Sequence, residues 1–344
     1  MALAGALAGV AALSLLAQNG GPPQTAFARA PSGQYAVLAK NTGEATVVTV
    51  LGTATNAAAM EIATVAHLPG TSLRGAVSPS GRHVALITPD TIVLGRPVAS
   101  LLTLDLETGQ IRRLAEGLEP LQNALWTPDS TAVVVTYRSW TATGDPMTSV
   151  VRIEMDGTGT VLETHAGATI VAPVGFDALG QLLAVRIDER GSTLTRDGEA
   201  VRWLSTHITR DWALSPDGTR LAFVEANTWQ GLRYLPRVVW IEGGGGVSAA
   251  SAAGQQALGA AWAPSGHSPQ FGNEPHTPAG SVSAQSGSGF DVPLAYSRDG
   301  SSLAVRHWSG SSFADPGTPQ LQVVSVAGRH PLDGFSRFFG WSAR

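Results

Sequence analysis

Past residue 29, short apolar runs recur along the chain, each entered through a compact polar turn. Ser78-Pro79-Ser80-Gly81 precedes Val84-Ala85-Leu86-Ile87, and Trp126-Thr127-Pro128-Asp129 precedes Ala132-Val133-Val134-Val135. Ser215-Pro216-Asp217-Gly218 precedes Leu221-Ala222-Phe223-Val224, and Tyr296-Ser297-Arg298-Asp299-Gly300 precedes Leu303-Ala304-Val305. Ala30-Pro31-Ser32-Gly33 opens the series. Two weaker copies, at Phe176 to Gly180 and Trp262 to Gly266, complete it. With positions 31, 79, 128, 178, 216, 264 and 298 as the proline-equivalent sites, the spacings are 48, 49, 50, 38, 48 and 34. That period is the length of one four-stranded propeller blade.

Turn chemistry explains the phrase. Pro presets the second position of a type I turn, Asp or Ser bonds the local backbone, and Gly takes the positive φ that follows. About twenty residues on, a second turn appears at Leu104 to Gly109, Ile153 to Gly157 or Thr195 to Gly198. Each blade therefore reads as strand A, phrase turn, strand B, B–C loop, strand C, Gly turn and strand D. Seven copies predict an all-β, seven-bladed β-propeller over residues 29–344, with six blades as the alternative if the Trp262 phrase is only an insertion. Phe338 to Ser342 reads as one more strand A with nothing after it, and is expected to close the ring beside the first strand B.

The phrase resembles the PD40/TolB-like family of WD40-type propeller repeats, most closely at Leu214-Ser215-Pro216-Asp217-Gly218-Thr219-Arg220-Leu221-Ala222-Phe223. The resemblance covers nearly all of residues 30–344. It implies a fold shared by many activities, not one activity.

Composition narrows the classes. The chain has 344 residues, 40 Gly, no Cys, 14% charged residues and a net charge of −4, where about 25% charged is usual. An acidic balance disfavours nucleic acid as partner. Residues 2–28 hold no charge, and Ala2 to Ala17 form an apolar stretch of signal-peptide length, short of the roughly 20 residues of a membrane span. Residues 1–28 therefore read as a signal peptide or hydrophobic anchor, which places the protein in the periplasm, cell envelope or extracellular space.

Catalytic signatures are absent from the sequence: no Gly-x-Ser-x-Gly elbow, no Cys nucleophile, and no Gly-Lys pair beside the Gly243 to Gly246 run, which reads as a C–D turn. No cofactor is indicated. Candidate binding residues cluster instead in long B–C loops that the fold would put on one face: Tyr137, Arg138 and Trp140; Trp229, Arg233 and Tyr234; His307 and Trp308. Aromatic and Arg side chains are enriched in binding hot spots. The expected role is a scaffold binding a protein or small ligand at the envelope. Two alternatives stay open: a metal-dependent lyase or lactonase using His83, His207 and His307 with Asp211 or Glu225 in the channel, and a structural envelope component. The irregular stretch Gly266 to Val292, with His267, Glu274 and His276, reads as a surface loop before it reads as a metal site.

Overall fold

The computed structural model describes residues 34–52, 58–229, 231–243, 245–250, 255–274 and 289–343. Among them every regular element is a β-strand, in six four-stranded antiparallel sheets and one two-stranded sheet. Strands are lettered A to D from the centre outward. Blade I joins Arg337–Ala343 to Gln34–Asn41, Ala45–Gly52 and Ala59–Ala66. Blade II is Arg74–Val77, His83–Val93, Arg96–Asp105 and Ile111–Leu118, and blade III is Leu125–Trp126, Ala132–Trp140, Pro146–Glu154 and Gly159–Ala166. Blade IV is Ile170–Phe176, Leu182–Asp188, Gly191–Arg196 and Glu199–Ser205, and blade V is Ile208–Leu214, Arg220–Asn227, Arg233–Trp240 and Ser248–Ala249. A half blade of Ala257–Trp262 and Pro269–Asn273 follows. Blade VI is Phe290–Tyr296, Ser302–Trp308, Pro319–Ser325 and Gly328–Pro331.

Each strand A contacts strand A of the next sheet, and blade VI returns to Arg337–Ala343 of blade I, so the ring is closed. The C-terminal strand pairs antiparallel with Gln34–Asn41, with Tyr35 opposite Ser342 and Val37 opposite Gly340. Ring closure by the C-terminal strand is thus as the sequence predicted. The favoured count of seven blades is corrected to six, the alternative. Among the described residues the Trp262 phrase builds two strands, and the 34-residue step to the next phrase carries a Ser/Gly/Pro-rich stretch in place of an apolar run. Residues 275–288 of that stretch, and the expected N-terminal segment 1–28, lie outside the described residues.

The apolar runs are continuous because strand B is buried on both faces. In blade I, Val37 and Ala39 enter the core shared with blade II, while Ala36 and Leu38 enter the core shared with blade VI. In blade II, Val84 and Leu86 face blade I, and Ala85 and Ile87 face blade III. Between the half blade and blade VI, Ala261, Leu303 and Val305 form the buried set.

Phrase aromatics fasten neighbours. The indole Nε1 of Trp126 donates to the Ala76 carbonyl at 2.8 Å, that of Trp262 to Ala213 at 2.9 Å and that of Trp341 to Ala295 at 3.0 Å. Each bond runs from one inner strand to the preceding one. Arg220 adds a second tie, its guanidinium lying 5.1 Å from the Trp240 ring centre and 4.7 Å from that of Trp262.

The turns are built as their residues dictate. The Asp217 carboxylate accepts Ser215 Oγ at 2.6 Å, Thr219 Oγ1 at 2.8 Å and the Thr219 amide at 3.1 Å. Asp129 and Asp299 repeat the pattern with Thr127 and Thr131, and with Ser297 and Ser301. Bonds to the charged form lower a carboxyl pKa. The Ser215 hydroxyl above all holds Asp217 at about 2, the Thr127 hydroxyl does the same for Asp129, and the Ser301 amide leads the same downward shift at Asp299.

Candidate functional site

Phrase turns and C–D turns leave the ring on one face, the lower; B–C and D–A connections leave it on the upper. The upper face collects exposed apolar side chains. Trp140 ends strand B of blade III and is 55% exposed; Trp229 in the B–C loop of blade V is 87% exposed, with Leu232 beside it. The B–C hairpin of blade II adds Ile92, Val93 and Leu94, with Leu94 97% exposed, and the D–A connection after it adds Leu121.

That hairpin is unusual in its chemistry. Val93 pairs with Arg96, which leaves Leu94 and Gly95 as a two-residue loop with φ of 50° and 76°. Positive φ at both positions marks a type I′ turn, which favours Asn-Gly or Asp-Gly. Leu in the left-handed region costs roughly 1–2 kcal/mol. The C–D hairpin of blade IV, Asp197-Gly198, has the favoured pair, with φ of 45° and 86°. Strain joined to full exposure of an apolar side chain marks Leu94 as a functional candidate.

The predicted binding residues divide into two groups. Arg138, Trp140, Trp229 and Arg233 are exposed on the upper face. The amide of Trp229 is held by Asn227 Oδ1 at 3.0 Å, and its ring meets His207 edge-on at 6.4 Å. Tyr137, on the opposite side of its strand from Arg138, packs into the core between blades II and III, and burial raises its phenol pKa. Tyr234 sits against the Phe313 ring at 6.1 Å with the Arg210 guanidinium 5.7 Å from its centre. Phe313 also meets Phe290 at 4.9 Å, Phe290 stacks with Trp308 at 6.4 Å, and the Phe313 amide donates to Glu274 at 3.2 Å. Phe313 thereby locks the B–C loops of blades V and VI together over the half blade.

Phe313 and the Ile92 to Leu94 tip were not among the sequence candidates. Their signals are present: one large apolar residue in the Ser-rich stretch from Ser309 to Pro319, and an apolar triplet directly before Gly95, where a hairpin turn ordinarily carries polar residues.

The candidate channel ligands each have a separate structural partner. His307 Nδ1 lies 2.9 Å from Asp291 Oδ1, and Arg329 donates to the other oxygen of that buried carboxylate at 2.6 Å. His83 stacks on Trp126 at the lower end of its strand, where burial lowers its pKa. Asp211, at φ 53°, accepts the Gly259 amide at 2.8 Å, and Glu225 faces Arg237 at 3.4 Å. Among the described residues no three His, Asp or Glu side chains gather closely enough to hold a metal ion; His276 lies outside them.

No family model matches the sequence, and no curated protein matches it. Solved structures do. The chain is similar to TolB from Acinetobacter baumannii, with TM-score 0.53 and 13% identity over 91% of this chain and 67% of that one. It is similar to dihydro-heme d1 dehydrogenase NirN in complex with DHE, with TM-score 0.54 and 13% identity over 93% and 77% of the two chains. A Mycobacterium tuberculosis puromycin-hydrolyzing peptidase gives TM-score 0.53 and 12% identity over 90% of this chain and 54% of its own. At such identities the likeness is one of fold, and the named activities belong to those proteins.

Proposed function

From the premise that this chain is a TolB-like β-propeller in fold, we propose that it is an exported binding module whose upper loop face engages a protein partner. One observation carries the reading: Ile92, Val93, Leu94, Leu121, Trp140, Trp229 and Leu232 are all exposed on the upper face. An exposed contiguous run such as Ile92, Val93 and Leu94 marks an interaction surface. Arg138 and Arg233 supply directed donors among them. The wide separation of the blade II, III and V loops around the ring suits a macromolecular surface. Export is supported by the uncharged, apolar run from Ala2 to Ala17.

The test uses the mature protein, immobilised and exposed to envelope extract of its source. A Trp140→Ala/Trp229→Ala variant is expected to keep the thermal midpoint within a few degrees, because both rings are exposed. It is expected to retain a partner about tenfold less, the effect of losing roughly 1.4 kcal/mol of binding. Equal retention by both proteins, or collapse of the thermal transition in the variant, contradicts the reading. Mass spectrometry of the N-terminus of the protein recovered from the envelope fraction tests export, with cleavage expected after Ala28.

A further inference from the structure

At the seam where the ring closes, a cavity of about 440 Å³ opens between blades VI and I on the upper face. Its polar wall is Asn41, Ser72, Gln320 and Ser336; its apolar wall includes Trp308, Leu321 and Phe335. Two arginines enter it. Arg306 lies on strand B of blade VI, on the side that faces blade I, and Arg337 opens the C-terminal strand of blade I. Arg74 opens the adjacent inner strand of blade II, close enough for its charge to act on Arg337.

What sets these three apart is that the cations lie close together with no counter-charge among them. Elsewhere partly buried arginines face a carboxylate, as Arg329 does Asp291, Arg196 Asp177, Arg237 Glu225 and Arg186 Asp188, or, like Arg220, lie against indole rings. Arg337 donates only to Ser72 Oγ at 2.7 Å, and Arg74 only to Asn123 Oδ1 at 3.2 Å. Among the described residues Arg306 makes no ion pair and no side-chain hydrogen bond. The residues outside the described set include no Asp and no Glu. Of the wall residues, Gln320 donates to the exposed carboxylate of Asp333 at 2.8 Å.

We propose that the seam cavity binds a small organic oxyanion, a carboxylate or phosphate carried on a compact apolar or ring-shaped body, with Arg306 and Arg337 clamping the anionic group. Guanidinium forks match such groups in a bidentate way. Trp308 and Phe335 offer the apolar body a surface, and the volume is that of ordinary small-ligand sites. Burial lowers the pKa of all three arginines, and the neighbouring cations lower that of Arg337 further. Arginine nevertheless stays charged in proteins. The cluster therefore weakens the empty protein and is relieved by an anion, the pattern expected where stability is given up for binding. A bound anion would touch blade VI and the C-terminal strand together, tightening the closure.

The site stands apart from the loop-face reading, and its test separates the two. Phenyl phosphate, glutarate and inorganic phosphate are titrated into the full mature protein by calorimetry and thermal shift. The expected result is saturable binding that raises the thermal midpoint, strongest for phenyl phosphate, and weakening with added salt. Glutarate ahead of phenyl phosphate would place the carboxylate source first within the same proposal. Arg306→Gln and Arg337→Gln should each lose at least tenfold in affinity, while Arg190→Gln, removing an exposed arginine of the same face, keeps it. Without ligand, Arg306→Gln should melt no lower than wild type; a lower midpoint would assign Arg306 a structural role and overturn the proposal. Absence of saturable binding by all three probes, or equal binding by Arg306→Gln, would also overturn it. Leu94→Asn, which alters only the loop face, should bind phenyl phosphate as wild type does.

Discussion

Leu94 and Asp217 show the two directions in which a single residue departs from the average. Leu94 holds a left-handed conformation that Asn adopts more readily, and its side chain buries against nothing in the protein. Leu94→Asn should raise the thermal midpoint, through removal of roughly 1 kcal/mol of strain, while lowering partner retention; differential scanning calorimetry beside the retention assay reads both. Asp217 is the reverse, a residue whose environment favours its charge. Its pKa of about 2 lies below the ordinary 3.8, so its contribution is present above about pH 4 and is lost as pH falls toward 2. The melting difference between wild type and Asp217→Asn should therefore be constant from pH 7 to about 4 and close by about pH 2. A difference that persists at pH 2 would mean that shape, not charge, makes the turn. Asp217 could be assigned its role from sequence because Ser-x-Asp-x-Thr is a local construction. For Leu94 the sequence carried only the apolar triplet before Gly95, since the strain itself comes from the register that pairs Val93 with Arg96.

At the level of the element, the phrase does two jobs, turning strand A into strand B and tying one inner strand to the last. Trp126 is buried, and its Nε1 satisfies the Ala76 carbonyl. Trp126→Phe should cost roughly 1–3 kcal/mol, the loss of a bond to a carbonyl largely shielded from water, measured as a shift in urea midpoint with unchanged m-value. Gly272, in the half blade, is required for a different reason: a Cβ there would overlap the Asp291 carbonyl of blade VI. Gly272→Ala should destabilise by about 1–3 kcal/mol, and a neutral result would show that the half blade stands further from blade VI than described. The half blade was partly legible, since the step after the Trp262 phrase carries a Ser/Gly/Pro-rich stretch in place of an apolar run. The long-range ties were not: Phe313 meets Tyr234 across 79 positions of chain, and nothing local in a Ser-rich loop announces that contact. For the same reason Tyr137 and Trp140, read together as loop residues, separate in the fold, one into the interblade core and one into solvent.

On the scale of the whole molecule, the period of the phrases made the ring legible and the terminal Phe338 to Ser342 made its closure legible, because a propeller without closure leaves strand edges open. Deletion of residues 337–344 should expose the inner edge of Gln34–Asn41 and yield self-associated protein with no cooperative transition, checked by size-exclusion chromatography and calorimetry. What the sequence could not supply was the distribution of exposed apolar residues between the two faces, which depends on every strand's register at once. The lower face has its own exposed apolar residues, Leu179 and Val326, and they provide an internal control. The most direct test of the binding reading is site-specific photocrosslinking in the native envelope, with the crosslinker placed in turn at positions 94, 140 and 229 and at positions 179 and 326. The loop-face account predicts one shared adduct from the first three positions and none from the other two. Adducts from both faces alike, or from the lower face alone, would contradict it.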